Sequence, residues 1–172
     1  MRTKRIDKDN KDNRTAGNGE SRPALLRRKT MWQMIKENLD TKAKHCCGTY
    51  SSFKQGLQYA PEVLDDNLIE LEVDTDERDN EIGDFMQMGG KVAIAHNGYQ
   101  FYLTKKIKDP YGNIVANPSG CIRIGGKVQW KKGRDVRIAT VLSIVSPNEI
   151  LVETLDDAHI VQYVPYTELK AA

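Results

Sequence analysis

The sequence predicts a mostly-β protein: a small, strongly bent C-terminal β-barrel, one N-terminal amphipathic helix and a disordered basic arm. Three observations predict it. Between Gly125 and Leu169 four short runs, Lys127–Trp130, Val136–Val145, Glu149–Thr154 and His159–Val164, are rich in Val, Ile, Thr and aromatics. Turn-forming breaks separate them: Lys132-Gly133-Arg134-Asp135, Ser146-Pro147-Asn148 and Asp156-Asp157. A second β-block precedes them, Lys91–Ala95 and Tyr99–Thr104, with the hairpin dipeptide Asn97-Gly98 in the turn between. Several short strands in about 45 residues suit a bent, closing sheet better than a flat one with long unpaired edges.

The segments follow in order. Residues 1–24 alternate charged and small polar types and hold almost nothing apolar, and residues 1–29 read as a mobile basic arm. In residues 30–48, Trp32, Ile35, Leu39 and Ala43 fall at i, i+3, i+7 and i+11, which predicts an amphipathic helix capped by Thr30 and ended by Gly48. Residues 49–82 read as an acidic, partly extended linker. Its aromatics Tyr50, Phe53 and Tyr59 lack periodicity, Leu68–Val73 alternates as a strand, and Asp74–Asn80 is an acidic solvated loop. Residues 83–120 form a β-hairpin region. Because Gly89-Gly90-Lys91-Val92 echoes Gly125-Gly126-Lys127-Val128, it is also a candidate second small barrel. Residues 121–172 hold the C-terminal barrel.

Charge is distributed unevenly. The net charge of +2 conceals 13 Lys/Arg against 6 Asp/Glu in residues 1–45, 2 against 11 in residues 46–90, and 11 against 7 in residues 91–172. A basic arm, an acidic middle and a mildly basic β-region follow. No stretch reaches the roughly 18–20 apolar residues that span a bilayer. The basic start Met1-Arg-Thr-Lys-Arg5 is not followed by an apolar signal segment, so a soluble, intracellular (cytoplasmic) protein is expected. Three cysteines, two of them adjacent at Cys46 and Cys47, suit a reducing compartment better than a disulfide framework.

The run Gly125-Gly-Lys-Val-Gln-Trp130, the Lys132-Gly133-Arg134-Asp135 loop, Ala139-Thr-Val-Leu-Ser-Ile144, and the closing Gln162-Tyr-Val-Pro165 with Glu168-Leu169 resemble an SH3-like barrel of the Tudor or KOW type, with Ala139 where that family carries Gly. The resemblance covers about 45 residues. It implies the barrel fold, and such barrels bind nucleic acids or peptides or serve as assembly modules.

Candidate phosphate-binding residues are Lys131, Lys132, Arg134 and Arg137 beside Trp130, and Arg27, Arg28 and Lys29 in the arm. Cationic donors hold phosphate without reading sequence, and an exposed aromatic, Tyr102 or Tyr166, would add stacking. Alternation along Lys127–Trp130 points Trp130 inward. His45-Cys46-Cys47, Cys121, His96 and His159 lack the two-to-four-residue gaps of a structural zinc site, and Cys46 and Cys47 lack an orienting third group for nucleophilic catalysis. The acidic run from Asp74 to Asp84 lacks the Gly and Glu of a calcium loop. With no phosphate loop, nucleophile elbow or paired-carboxylate signature, the chain reads as a non-enzyme that uses no cofactor and no metal. The expected function is non-catalytic binding of DNA or RNA. The alternative is a structural or assembly protein, such as a viral or phage virion component, whose arm and helix dock on neighbouring subunits.

Overall fold

A computed structural model describes residues 31–108, 114–117 and 120–172, so the basic arm and Arg27, Arg28 and Lys29 lie outside the described residues. Among the described residues the architecture is mostly β, with two antiparallel sheets and two helices. In chain order the elements are β1 (Trp32–Asn38), β2 (Lys44–Tyr50), α1 (Phe53–Glu70), α2 (Thr75–Gln87), β3 (Ile94–His96), β4 (Tyr99–Lys108) and β5 (Ile114–Asn117). The second half follows with β6 (Lys127–Lys132), β7 (Asp135–Ser146), β8 (Glu149–Thr154), β9 (Val161–Val164), a 3-10 turn at Tyr166–Glu168 and β10 (Leu169–Ala171).

The first sheet runs β2-β1-β4-β3, with β5 paired to β4. The expected helix over residues 30–48 is instead the β1–β2 hairpin, with Trp32 opposite Tyr50 and Glu37 opposite Lys44. Burial explains the error. Gln33, Met34, Ile35 and Glu37 are all buried, so β1, paired to β2 and β4 within the sheet, is covered on both faces. Leu39 and Ala43, the far half of the supposed helical stripe, lie at the hairpin turn, where Ala43 is exposed. Tertiary packing overrides a four-residue periodicity.

The helices come from the segment expected to be extended. Ser52 caps α1 by accepting the Gln55 N–H at 3.1 Å, and the Gln55 side chain accepts the Ser51 N–H at 2.8 Å, close to a capping box. Gly56, Ala60, Leu64 and Leu68 form the buried stripe, i to i+12 in steps of four. Gly56 lets the helix settle on the sheet, because a Cβ there would lie 3.0 Å from Leu103 and 3.1 Å from Tyr50. Leu68 to Val73, expected as a strand, is the last turn of α1 and its exit. The expected acidic loop is α2, capped by Asp74 through the Glu77 N–H at 3.0 Å. Both helices cover one face of the first sheet, packing Leu64, Leu68 and Phe85 against Met34, Phe101 and Leu103.

Asn97-Gly98 forms the β3–β4 turn as expected, both residues at positive φ (47° and 79°). Residues 83–120 supply the end of α2 and strands β3, β4 and β5 to the first sheet, together with β1 and β2. Its other face is polar. Gln33, Glu37, Gln100 and Tyr102 are buried there with Ile35, against the segment 121–124 that leads into the second sheet. The Gln100 side chain accepts the Ile124 N–H at 2.9 Å and donates to the Ile124 carbonyl at 3.2 Å. Tyr102 donates its hydroxyl to Glu37 at 2.6 Å, and Arg123 sits 3.4 Å from the same carboxylate oxygen. Nearby, a parallel bridge joins Val92 to Ile122.

The second sheet runs β10-β6-β7-β8-β9, all antiparallel. Its edges β9 and β10 do not pair, so the sheet is bent but not closed into a barrel. Val128, Trp130, Ala139, Val141, Ile150, Val152 and Val164 form its core, and Met88, Val92 and Ile122 join that core from the first half of the chain.

Candidate functional site

The outer face of the second sheet is the surface that distinguishes this molecule. Alternation along β6 sends Val128 and Trp130 inward and Lys127, Gln129 and Lys131 outward. Pairing then fixes what lies beside them. Lys170 stands opposite Gln129 on one side, while Val136, Ile138 and Thr140 stand opposite Lys131, Gln129 and Lys127 on the other. Further across, Glu153 pairs with Val161, and Leu151 with Tyr163. Lysines therefore line the β10–β6 side of the face, and mainly aliphatic residues, with Tyr163 and Glu153 among them, line the β7–β9 side.

Nine large apolar residues are exposed among the described residues. Seven belong to this unit: Val136, Ile138, Leu142, Val145, Leu155, Val161 and Tyr163, with Val145 at 63% and Val161 at 54% exposure. Single exposed apolar side chains are ordinary on protein surfaces, and this unit carries most of those among the described residues. The remaining two, Tyr59 and Ile69, lie on α1. That helix and α2 carry Glu62, Asp66, Glu70, Asp76, Glu77 and Asp79, all exposed.

The basic residues expected to hold phosphate divide here. Lys131, Lys132 and Arg134 are exposed at the β6–β7 hairpin tip, where Gly133 takes φ 63°. Lys132 lies 5.9 Å from the Trp130 ring centroid. Arg137 is ion-paired to Asp156 at 2.8 Å, both side chains being partly exposed. The same Asp156 accepts from Thr154 at 2.7 Å and from the Ala158 N–H at 3.2 Å. The Thr154 bond, with Arg137 beside the carboxylate, holds its pKa below the usual range. Trp130 is buried as expected and donates its indole N–H to Glu168 at 2.9 Å, so no stacking surface remains. A cavity of 120 Å³ beside it is bordered by Lys132 and Arg137 but also by Asp135, which opposes an anion.

Of the two aromatics expected to add stacking, Tyr102 is closed to a ligand. Tyr102 is fully buried, and burial, then its bond to Glu37, pushes its hydroxyl pKa upward. Tyr166 is half-buried against the second core. Cys46 and Cys47 do not cluster with histidine. Cys46 meets Gln33 and Gly48, while Cys47 reaches Asn67 of α1 and is raised in pKa by burial. The apolar face was missed because the run Val136–Val145, apolar on both parities, reads as a strand buried on both sides. Only Ala139 and Val141 are fully buried in it, and Ile138 and Leu142 point outward. None of the described helices is long and apolar enough to cross a membrane.

Comparison with protein-family models, curated proteins and solved structures finds no match for the chain.

Proposed function

We propose that this chain is a non-catalytic assembly protein whose second sheet is an SH3-like unit that docks on a second copy of the chain. The strand order β10-β6-β7-β8-β9 and the 3-10 turn before the last strand support the SH3-like reading. The observation that carries the function is the outer face, half lysine and half exposed aliphatic. Phosphate contact would account for the lysines alone. A protein surface both acidic and apolar accounts for both halves. The helical layer of another copy offers that chemistry, with Tyr59 and Ile69 exposed on an acid-rich helix. Sheet face on helix face closes a pair where both contacts form about a two-fold axis, and builds rings or filaments where they do not.

Sedimentation velocity of the purified protein tests this. Association is expected at low salt and should weaken as salt screens the charges. Changing Lys127, Lys131 and Lys170 to Glu should abolish it, and adding Asp66→Lys with Glu70→Lys should restore it. A monomer at every concentration and salt would overturn self-assembly. The rival reading, nucleic-acid binding, predicts a gel shift whose log affinity falls linearly with log salt and is lost when Lys131, Lys132 and Arg134 become Ala.

A further inference from the structure

We propose a binding site for a divalent transition cation of the zinc class at Glu77, Glu81 and His96, which is independent of the assembly reading. Two elements build it. Glu77 and Glu81, one helical turn apart on α2, present their carboxylates on one face. His96 ends β3 just before the Asn97-Gly98 turn, and that turn is tied down by the Asn97 side chain, which donates to the Leu71 carbonyl at 3.1 Å. His96 Nδ1 lies 2.9 Å from Glu81 Oε1 and 3.6 Å from Glu77 Oε1, and the ligating atoms of all three lie within 4.8 Å of one another. Ligands at 2.0–2.2 Å from a tetrahedral zinc stand about 3.4 Å apart, a spacing that the two measured separations bracket.

A simple hydrogen bond leaves this arrangement poorly satisfied. Nδ1 can carry at most one proton, which serves one carboxylate oxygen, yet two carboxylates converge on it. Glutamates at i and i+4 repel each other, and Asp84 adds to the negative field. Glu81 is three-quarters buried, and its second oxygen, Oε2, is sealed from solvent with no hydrogen-bond partner among the described residues. A divalent cation neutralises both carboxylates and uses the imidazole nitrogen as a ligand. The nitrogen donor favours zinc-class ions over calcium and magnesium, which prefer shells of oxygen. A bound ion would pin α2 to the β3–β4 turn.

The test is calorimetric titration of the full chain with zinc chloride, alongside the absorption spectrum of the cobalt(II) form. One ion per chain is expected, with a cobalt spectrum lacking any thiolate charge-transfer band, and with zinc raising Tm. Glu77→Gln, at an exposed position, and His96→Gln should each weaken zinc at least about 10-fold and remove the Tm shift. Binding unchanged in the Glu77→Gln protein would overturn the site. So would a thiolate band, which would move the ion to Cys46 or Cys47, or the absence of heat and of any Tm shift at millimolar zinc.

Discussion

Glu37 shows how much can depend on one side chain. It is almost wholly buried, and its carboxylate is held by the Tyr102 hydroxyl and the Arg123 guanidinium, two groups far apart in sequence. Tyr102→Phe removes one charge-assisted bond and should cost about 1.5–3 kcal/mol in denaturant unfolding. Arg123→Ala strands the carboxylate without its counter-charge. Because Arg123 retains some solvent contact, its cost should lie at the lower end of about 3–5 kcal/mol, still above that of Tyr102→Phe. The reverse order would mean that the hydroxyl, not the guanidinium, secures Glu37. Cys121 reports on the same region. Burial pushes its thiol up to about 12 and closes it to solvent. It should resist alkylation at neutral pH until the protein unfolds, and the denaturant dependence of its labelling should follow the global transition. None of these contacts was visible in the sequence, because nothing local distinguishes a glutamate that will be buried from one that will be solvated.

Secondary elements were legible where turn chemistry is strict. Asn97-Gly98, Gly133-Arg134 and Pro147-Asn148 each marked a hairpin turn, because few residues tolerate those backbone angles or pre-set them. Helix α1 was illegible for the converse reason. Pro61 lies inside it and Gly56 in its buried stripe, and both residues usually signal a break. The β8–β9 connection gives an element-scale prediction. The pKa of Asp156 is lower in the folded protein than in the unfolded chain, chiefly through the bond from Thr154. Its stabilising contribution is therefore fully present above the ordinary carboxylate value of about 3.9, and is lost as pH falls through the folded value. Asp156→Asn should flatten the stability–pH curve in that acidic window and leave its shape near neutrality unchanged. A wild-type slope persisting in the variant would assign the effect to another carboxylate.

At the scale of the whole molecule, the sequence revealed the second sheet, the β3–β4 hairpin and the charge segregation, but not the rest of the first sheet. The reason is range. Strands β6 to β9 pair with their immediate successors, so pattern and turns suffice to order them. Strand β1 pairs with β4 across both helices, and no local pattern announces a partner so distant. The candidate contact face shows the same limit. Lys131 stood out in the sequence as a displayed cation, whereas the outward aliphatic residues of Val136–Val145 did not, because a strand apolar on both sides looks the same whether or not its second face is covered within the chain.

The pairing of β1 with β4 also has a consequence in time. Tyr102 and Glu37 are 65 residues apart, so the chain must close a long loop before the first sheet gains its central contact, whereas the hairpins of the second sheet close over a few residues each. The two tryptophans allow the two events to be timed separately. Trp130 lies in the second core, and Trp32 lies on β1 with its ring 4.9 Å from that of Phe53. In stopped-flow refolding, the Trp32→Phe protein, which reports through Trp130, should recover its fluorescence sooner than the Trp130→Phe protein, which reports through Trp32. Identical rates would mean that the sheets fold as one cooperative unit. During synthesis the imbalance is greater, since β1 leaves the ribosome well before β4 exists. In that interval the acid-rich segment that becomes α1 and α2 is the stretch following β1 and β2, and its repulsive charge disfavours aggregation of the waiting strand.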